Sequence, residues 1–400
     1  MLRQGHLSAG LFARRVRVIS AAFAVAAIVS LAFSTDIAIS SGLAFVALVA
    51  IALAILLGWF ELLLNRGEGN EIHGANHTPT AWAVTIVALA LITSFSVQAW
   101  FRPGASIASG DIAPPDGIAW IDRVFEPWIW TGSNLGEQSQ LLLQLPWAAF
   151  LWAVHVTGGS PDVAQRAWYT TLFVGAGLAA FGLLAALKMS PAAALIGALL
   201  YLFNPYVVSE VNINPVYLAG LGLLPAVLAI FVGAASGRLR VRWAAALVAL
   251  SAPWFGYVYL NPPLVGMVLG AALVTPLAMG LIDGRHAATR GMRTLALAIP
   301  CALIASAYWV VPVVIHSPSV ANDQLASLAS WSWTEARATI ENAFWLNTNW
   351  AWSYPDYFPY ASSYDLRPLS LAKFLLPALA FVALALTPRS RTDARPYARD

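Results

Sequence analysis

Charged side chains are scarce in this sequence. They make up 10% of the 400 residues, whereas an ordinary soluble protein carries roughly 25%. Hydrophobic residues make up 59% of the chain, and its mean hydropathy is +0.70. A water-soluble globule of this composition would have too little polar surface to stay in solution. The composition therefore predicts that lipid is the solvent for much of the chain.

Cysteine is nearly absent as well. The single residue, Cys301, stands inside an apolar run, which excludes an intramolecular disulfide framework and a multi-cysteine metal site. The sequence also has no phosphate-cradling glycine loop, no serine nucleophile elbow and no HExxH motif. His73 and His77 lie four residues apart, but in a loop without further ligands, so no metal site is predicted.

Long apolar runs are what the sequence has instead. They predict an all-α integral membrane protein, a polytopic bundle of about ten transmembrane helices. The first run follows four arginines without a visible cleavage site, so it is interpreted as an uncleaved span rather than a signal peptide. The predicted spans are 18–34, 41–64, 81–100, 164–187, 191–209, 215–235, 243–259, 262–282, 294–315 and 369–387.

One further apolar run, 141–157, is ambiguous, because it contains Gln144, Pro146 and His155. If it does not cross, 16 of the 22 basic residues lie on the cytoplasmic side and 13 of the 19 acidic residues on the outer side. If it crossed, the arginines at 238–242 and 285–293 would move outside, against the positive-inside rule. We therefore expect this run to stay at the outer surface. It would form an amphipathic helix there, with Trp147 and Trp152 at headgroup depth.

This topology defines the organisation of the chain. Residues 1–80 form an amino-terminal transmembrane hairpin and a cytoplasmic loop, and residues 81–387 form the membrane core. The core carries two large outer loops, 101–163 and 316–368, and 388–400 is a basic cytoplasmic tail. Both ends are predicted to be cytoplasmic, in a multi-pass plasma-membrane protein. The tail follows directly after a span and resembles a cytoplasmic loop that is cut short. We therefore expect the chain to be the amino-terminal part of a longer protein.

The first outer loop holds acidic residues among prolines and tryptophans, at Asp111, Asp116 and Asp122. A carboxylate at this position could act as a general base on a hydroxyl group. Burial near the membrane would raise its pKa, and a neighbouring arginine would lower it. The alternative is that these are solvated loop charges or helix caps.

A donor whose leaving group is a lipid phosphate needs a cation at the outer boundary of the membrane, where negative charge builds up. Arg166 is the strongest candidate, because it stands at the start of a predicted span. The alternative for each cation is snorkelling towards lipid headgroups. The candidates are Arg102, Arg123, His155, Arg166 and Lys373.

Aromatic residues concentrate in both outer loops. Trp128 and Trp130 lie in the first loop, and Trp350 and Tyr357 are among nine Trp and Tyr residues of the second. Such residues either form an interfacial belt or stack on sugar rings. The asparagines among them would suit hydrogen bonds to sugar hydroxyls, and the sequence leaves both possibilities open.

The order of these motifs resembles the polyprenyl-phosphate-dependent membrane glycosyltransferases of the GT-C fold. Within them, the chain is most similar to the large actinobacterial α-(1→3)-arabinofuranosyltransferases of cell-wall arabinan synthesis. The resemblance covers roughly residues 80–370. It rests on Gly110-Asp111-Ile112-Ala113-Pro114, Trp128 with Trp130, Leu135 to Gln140, Pro146 to Phe150, Ser160 to Trp168, and Tyr201 to Tyr206.

The resemblance implies a catalytic aspartate in the first outer loop, which corresponds to Asp111, with Asp116 and Asp122 as further acids. It also implies a polyprenyl-phosphate sugar, with arabinofuranose as the sugar, as donor substrate. The acceptor would be a cell-wall polysaccharide. No cofactor is implied with certainty, and nucleic acid is not an expected partner. The family begins with one span before this loop, whereas three are predicted here.

Two other classes of function remain open. A transporter or flippase for a lipid-linked or polar substrate would use broken helices, and prolines inside several spans favour this. A non-catalytic scaffold would tolerate mutation of all the acids in the outer loops.

Overall fold

The computed structural model describes most of the chain between Pro79 and Ala326. The predicted spans 18–34 and 41–64, most of 369–387 and most of both outer loops lie outside this part. The described residues are 79–101, 106–107, 128–129, 137–138, 141–204, 206–207, 214–326, 339, 342 and 378.

The chain divides into two compact units, Met1–Phe203 with Glu210–Asn322, and Asn204–Ser209 with Asp323–Asp400. The helical bundle belongs to the first unit. In the second unit, the Asn204 side-chain oxygen accepts a hydrogen bond from the Val207 backbone N–H at 3.0 Å.

The described chain is helical apart from one short ladder. In that ladder Trp128–Ile129 (β1) pairs antiparallel with Glu137–Gln138 (β2). A 3-10 helix covers Leu141–Gln144. The α-helices are α1 Pro79–Gln98, α2 Leu145–Val156, α3 Pro161–Ala186, α4 Pro191–Leu202, α5 Pro215–Ala235, α6 Val241–Leu250, α7 Ala252–Val258, α8 Pro262–Asp283 and α9 Arg285–Ala326.

Five of these helices, α1, α3, α5, α8 and α9, are long and apolar enough to cross a membrane. The count is six if α6 and α7, which meet at 45°, form one broken span. Their break falls at Ser251, two residues before Pro253, whose ring excludes a regular helical hydrogen bond there. These spans agree with the predictions for 81–100, 164–187, 215–235, 243–259, 262–282 and 294–315.

Proline explains where several helices begin. Pro161, Pro191, Pro215 and Pro262 each occupy the first helical position, where the missing N–H would have had no partner in any case. Because proline also disfavours a helical residue before it, the preceding Ser or Asn residue is extended in each case.

The prediction of a full span over 191–209 needs correction. Helix α4 has 12 residues and ends at Leu202, so it is about 18 Å long, which is shorter than the hydrocarbon core of a bilayer. It ends because Asn204 precedes Pro205 in the sequence, and the residue before proline avoids the helical conformation.

Helix α9, in contrast, is longer than the predicted span. It starts at Arg285, nine residues before the predicted span, and continues to Ala326, inside the segment assigned to the second outer loop. Its 42 residues correspond to about 63 Å. Hydropathy marks only the apolar middle of this helix, because its first two turns carry arginines.

The centre of the bundle is formed by α3 and α5. Burial within the most apolar stretch reaches 78% for α3 and 72% for α5, but only 17% for α9. Small residues allow the two central backbones to approach closely: a methyl group added at Gly222 would lie 3.4 Å from the Ala176 Cα. Helices α1, α8 and α9 are peripheral and expose many large apolar side chains, as expected of surfaces that face lipid.

One end of the bundle collects basic residues, and we name it the arginine end. Here the ends of α3, α5 and α8 meet the start of α9 in an apolar cluster of Ala186, Val232, Ala235, Met279 and Ala287. The adjoining turns and first helical turns carry Lys188, Arg238, Arg240, Arg242, Arg285, Arg290 and Arg293.

Arg238 ties two helices together at the arginine end. Its guanidinium group donates hydrogen bonds to the Ala186 carbonyl, at the last residue of α3, and to the Ser236 hydroxyl at 3.0 Å. It therefore satisfies a terminal carbonyl that α3 itself leaves without a partner. Burial lowers the pKa of Arg238, and the charge of Asp283 opposes this shift.

The opposite end is named the loop end, because the first outer loop begins there. Gln98 at the end of α1 donates a hydrogen bond to Thr170 near the start of α3, at 3.2 Å. Asn261 before α8 donates to the Tyr217 hydroxyl at the start of α5, at 2.9 Å. Helices α3, α5 and α8 therefore start at the loop end and finish at the arginine end.

The ambiguous run 141–157 forms the 3-10 helix and α2, and it is too short for a span. Its apolar cluster and ring contacts with α3 involve Val163, Ala164 and Trp168, all in the first two turns of α3. This agrees with the prediction that the run does not cross. Trp152 is exposed, whereas Trp147 packs against Trp168.

Helices α8 and α9 form a hairpin whose only connecting residue is Gly284, with φ +85°. Close packing follows directly: a methyl group added at Gly291 would lie 2.8 Å from Pro276 Cβ and 3.1 Å from its Cα. Proline is rigid, so it cannot move aside as a flexible side chain could. Glycine at position 291 thus allows the two helices to touch.

We expect Gly291→Ala to lower the free energy of unfolding by about 1–3 kcal/mol, because the added methyl group forces α8 and α9 apart. Gly270→Ala is the matched control on α8, since an added methyl group there meets nothing within 4 Å. Thermal unfolding in detergent measures both variants. Equal melting temperatures for the two would contradict the packing described here.

Candidate functional site

The candidate site is built on the first three turns of α3, at the loop end. The helix starts at Pro161, and the Ser160 hydroxyl donates a hydrogen bond to the Asp162 carboxylate. A carboxylate in the first turn interacts favourably with the helix dipole. This start orients the turn from Gln165 to Tyr169, whose side chains contact α2, α7 and the first outer loop.

Gln165 is buried, with 2% of its surface exposed, and it binds the backbone of the first outer loop. Its side-chain oxygen accepts a hydrogen bond from the Ile107 N–H at 2.7 Å, and its amide nitrogen donates to the Ile107 carbonyl at 2.8 Å. Both polar groups of one loop residue are thus satisfied by one side chain. Ile107 lies four residues before Asp111.

Arg166 lies next to Gln165 on the helix and contacts the beginning of the same loop. Its guanidinium carbon lies 5.3 Å from the centre of the Phe101 ring, within the range of a cation–π interaction. Tyr169 meets the same ring edge-on, with ring centres 5.7 Å apart. Phe101 is buried and Arg166 is half-buried, so the cation has an apolar surface on one side.

Trp168 is the centre of an aromatic cluster that fixes the start of α3. Its ring centre lies 5.1–5.6 Å from those of Trp147 and Phe150 on α2 and of Trp254 and Tyr257 on α7. Its indole N–H also points to the Tyr257 hydroxyl, at a long 3.4 Å. Three helices are thereby packed together beside Arg166.

Of the predicted site residues, Arg166 and His155 are those whose side chains the structure describes. His155 is exposed on the last turn of α2. Only the backbone of Trp128 is described, opposite Gln138 in the short ladder. The other predicted site residues lie outside the described residues: Asp111, Asp116, Asp122, Arg102, Arg123, Lys373, Trp130, Trp350 and Tyr357.

Within the described ranges, no three His, Cys, Asp or Glu side chains form a group that could hold a metal ion. Comparisons with protein-family models, curated proteins and solved structures found no match to this chain.

Sequence reasoning selected Arg166 but missed its neighbours. Gln165, Phe101 and Trp254 had not been assigned to the site. Gln165 carried a usable signal, because a polar amide at the start of an apolar helix must find a partner once it is buried. Nothing in the sequence pointed to Ile107 as that partner.

We expect Trp168→Ala to destabilise the chain by about 3–5 kcal/mol, because it removes a buried ring in contact with four others. Trp152→Ala is the control of identical chemistry on α2, where the side chain is 54% exposed. Thermal unfolding in detergent should show a large loss for the first and little change for the second. A small effect of Trp168→Ala would mean that the cluster does not hold α2, α3 and α7 together.

Proposed function

We propose that the chain is a membrane glycosyltransferase with a GT-C-like core of about ten transmembrane helices. It would transfer a sugar, arabinofuranose by resemblance, from a polyprenyl-phosphate donor to a cell-envelope polysaccharide. The observation that carries the proposal is that one turn of α3 holds Arg166 and also binds the loop that leads to Asp111. Such a transfer requires an acid and a cation, and we assign both to this end of the bundle.

The proposed orientation follows from charge. The arginine end carries seven basic residues in its turns and first helical turns, which favours a cytoplasmic location. The loop end then faces outward from the plasma membrane, with both chain ends in the cytoplasm. Asp111 would meet extracytoplasmic sugar at the edge of the bilayer.

The spacing along the chain is compatible with a sugar phosphate. Asp111 is four positions after Ile107, so a fully extended chain would put its Cα at most about 14 Å from the point held by Gln165. The cation–π contact with Phe101 keeps Arg166 beside an apolar surface, where its interaction with a phosphate is stronger than in water. A lipid phosphate that slides between the helices could therefore be held at Arg166 while its sugar reaches the loop.

The reaction would be a single displacement. The Asp111 carboxylate takes the proton of an acceptor hydroxyl, and that oxygen forms a bond to the anomeric carbon. The bond from this carbon to the lipid phosphate oxygen breaks, and its electron pair leaves with the phosphate beside Arg166. Asp116 and Asp122 are further candidate acids, and Arg102, Arg123 and His155 are further candidate phosphate ligands. Trp128, Trp130, Trp350 and Tyr357 would stack on sugar rings.

We expect Asp111→Asn to lower transfer of radiolabelled sugar from a polyprenyl-phosphate donor by about 10²–10⁴-fold, because the general base is lost. Expression and donor binding should not change. Asp283→Asn, at the arginine end, is the matched control and should keep full transfer. Near-normal transfer by the Asp111 variant would remove this residue from its role.

Arg166→Met should reduce kcat/KM for the donor by roughly 10- to 100-fold, the effect of one charged hydrogen-bond partner. Arg166→Lys should fall between this variant and the wild type, since it keeps the charge but loses paired hydrogen bonds. Arg240→Met at the arginine end controls for general loss of charge. Unchanged kinetics in Arg166→Met would assign the donor phosphate to another cation.

A flippase for a lipid-linked substrate is the second candidate function. It is favoured by the 45° break between α6 and α7, since broken helices line substrate paths in transporters. Against it, the middles of the described spans hold no Asp, Glu, Lys or Arg. A flippase would move the donor across vesicles with no acceptor present, and Asp111→Asn would leave that movement intact.

A further inference from the structure

We propose that Gln165 is a positioning residue for the first outer loop, which sets the place of Asp111 relative to a phosphate at Arg166. The inference rests on the proposed function and adds to it a residue that does not itself touch the substrate. Its basis is the pair of hydrogen bonds between the Gln165 side chain and Ile107.

These two hydrogen bonds fix the register of the loop as well as its distance from α3. The N–H and C=O of one residue in an extended chain point to the same side, and those of the next residue point to the opposite side. A side chain that binds both groups of Ile107, at 2.7 Å and 2.8 Å, therefore recognises one register of the loop. A slip by one residue would break both hydrogen bonds at once.

Burial makes the pairing strict. Gln165 is 2% exposed, so water cannot replace the loop as its partner, and an unpaired amide in such a place is costly. Ile107 is half-buried, and an apolar residue at position 165 would remove the partner of both its backbone groups.

The same helical turn also holds Phe101, at the beginning of the first outer loop. Phe101 lies under Arg166 and against Tyr169, while Ile107 is bound by Gln165. Residues 165, 166 and 169 thus hold both ends of the seven-residue segment 101–107. Any rotation of this turn moves the phosphate-binding cation and the loop together, so their relative placement is preserved.

Gln98 offers a matched comparison. It also donates an amide hydrogen bond at the loop end, to Thr170 at 3.2 Å, but it joins α1 to α3 without touching Ile107. If Gln165 only stabilised the bundle, removing either glutamine side chain would have the same kind of effect. A positioning role predicts that the two variants differ.

The first measurement reports loop position without any reference to activity. In a Cys301→Ser background, Ser106→Cys places a thiol beside Ile107, and a hydrophilic maleimide measures its accessibility in the purified chain. Gln165→Met should raise the labelling rate roughly 10- to 100-fold, corresponding to two lost hydrogen bonds. Gln165→Glu keeps the length and an acceptor for the Ile107 N–H, so it should give a smaller rise. Gln98→Met should label at the parent rate.

The second measurement is the kinetics of sugar transfer. Gln165→Met should lower kcat at least about tenfold while the donor KM stays within about twofold of the wild type, because Arg166 is retained. Gln165→Glu should recover part of kcat, and Gln98→Met should change neither constant. Unchanged labelling in Gln165→Met, or an equal loss of kcat in Gln98→Met, would overturn the inference.

Asp111→Asn in the same assay separates the two proposals. If this variant keeps full transfer, the proposed role of Asp111 as general base fails, and if the wild type transfers no sugar, the proposed function itself fails. In both cases the labelling rates still decide whether Gln165 holds the loop. If it abolishes transfer and Gln165→Met keeps a normal kcat, only the positioning role fails. A single gel-filtration peak for each variant verifies folding, and Gln165→Glu carries the test if the methionine variant does not fold.

Discussion

The structure depends on one constraint: an apolar bundle offers its polar side chains no water, so a buried polar side chain is stabilised only by a partner inside the protein. Short hydroxyl side chains solve this locally. Those of Thr93, Thr171, Thr275 and Thr294 donate to carbonyls one turn earlier in their own helices. Glutamine is too long for this solution and reaches across to another segment. At the loop end, polar contacts between segments consequently occur where glutamine or asparagine stands.

The positions of the spans could largely be predicted, because hydropathy and proline act locally. Helix α5 has the predicted bounds, 215–235, and begins at Pro215. The two clear differences have local causes as well. Helix α4 stops early before an Asn-Pro pair, and α9 starts early because arginine is compatible with a helix although it is not compatible with the hydrocarbon core. Hydropathy predicts which residues lie in the membrane, whereas backbone conformational preferences determine where a helix begins and ends.

Less of the candidate site could be predicted from the sequence. Arg166 could be singled out because a cation at the start of an apolar run needs an explanation. Its surroundings could not, since Ile107 is 58 residues distant from Gln165 and Tyr257 is 89 residues distant from Trp168. Contacts at such separation depend on how helices pack, and many packings are compatible with one pattern of apolar residues. The register of α3 against α1 and α7 therefore had to be observed.

The single-residue link at Gly284 has a consequence for how the chain enters a membrane. Because a single residue joins the two apolar helices α8 and α9, they stay side by side. They must therefore enter lipid together as a hairpin. Arg285 stands at the tip of that hairpin and Arg290 and Arg293 follow within the next two turns, and carrying them through hydrocarbon is costly. This cost keeps the tip on the side where synthesis leaves it, so one glycine and three cations together anchor the direction of the last described span.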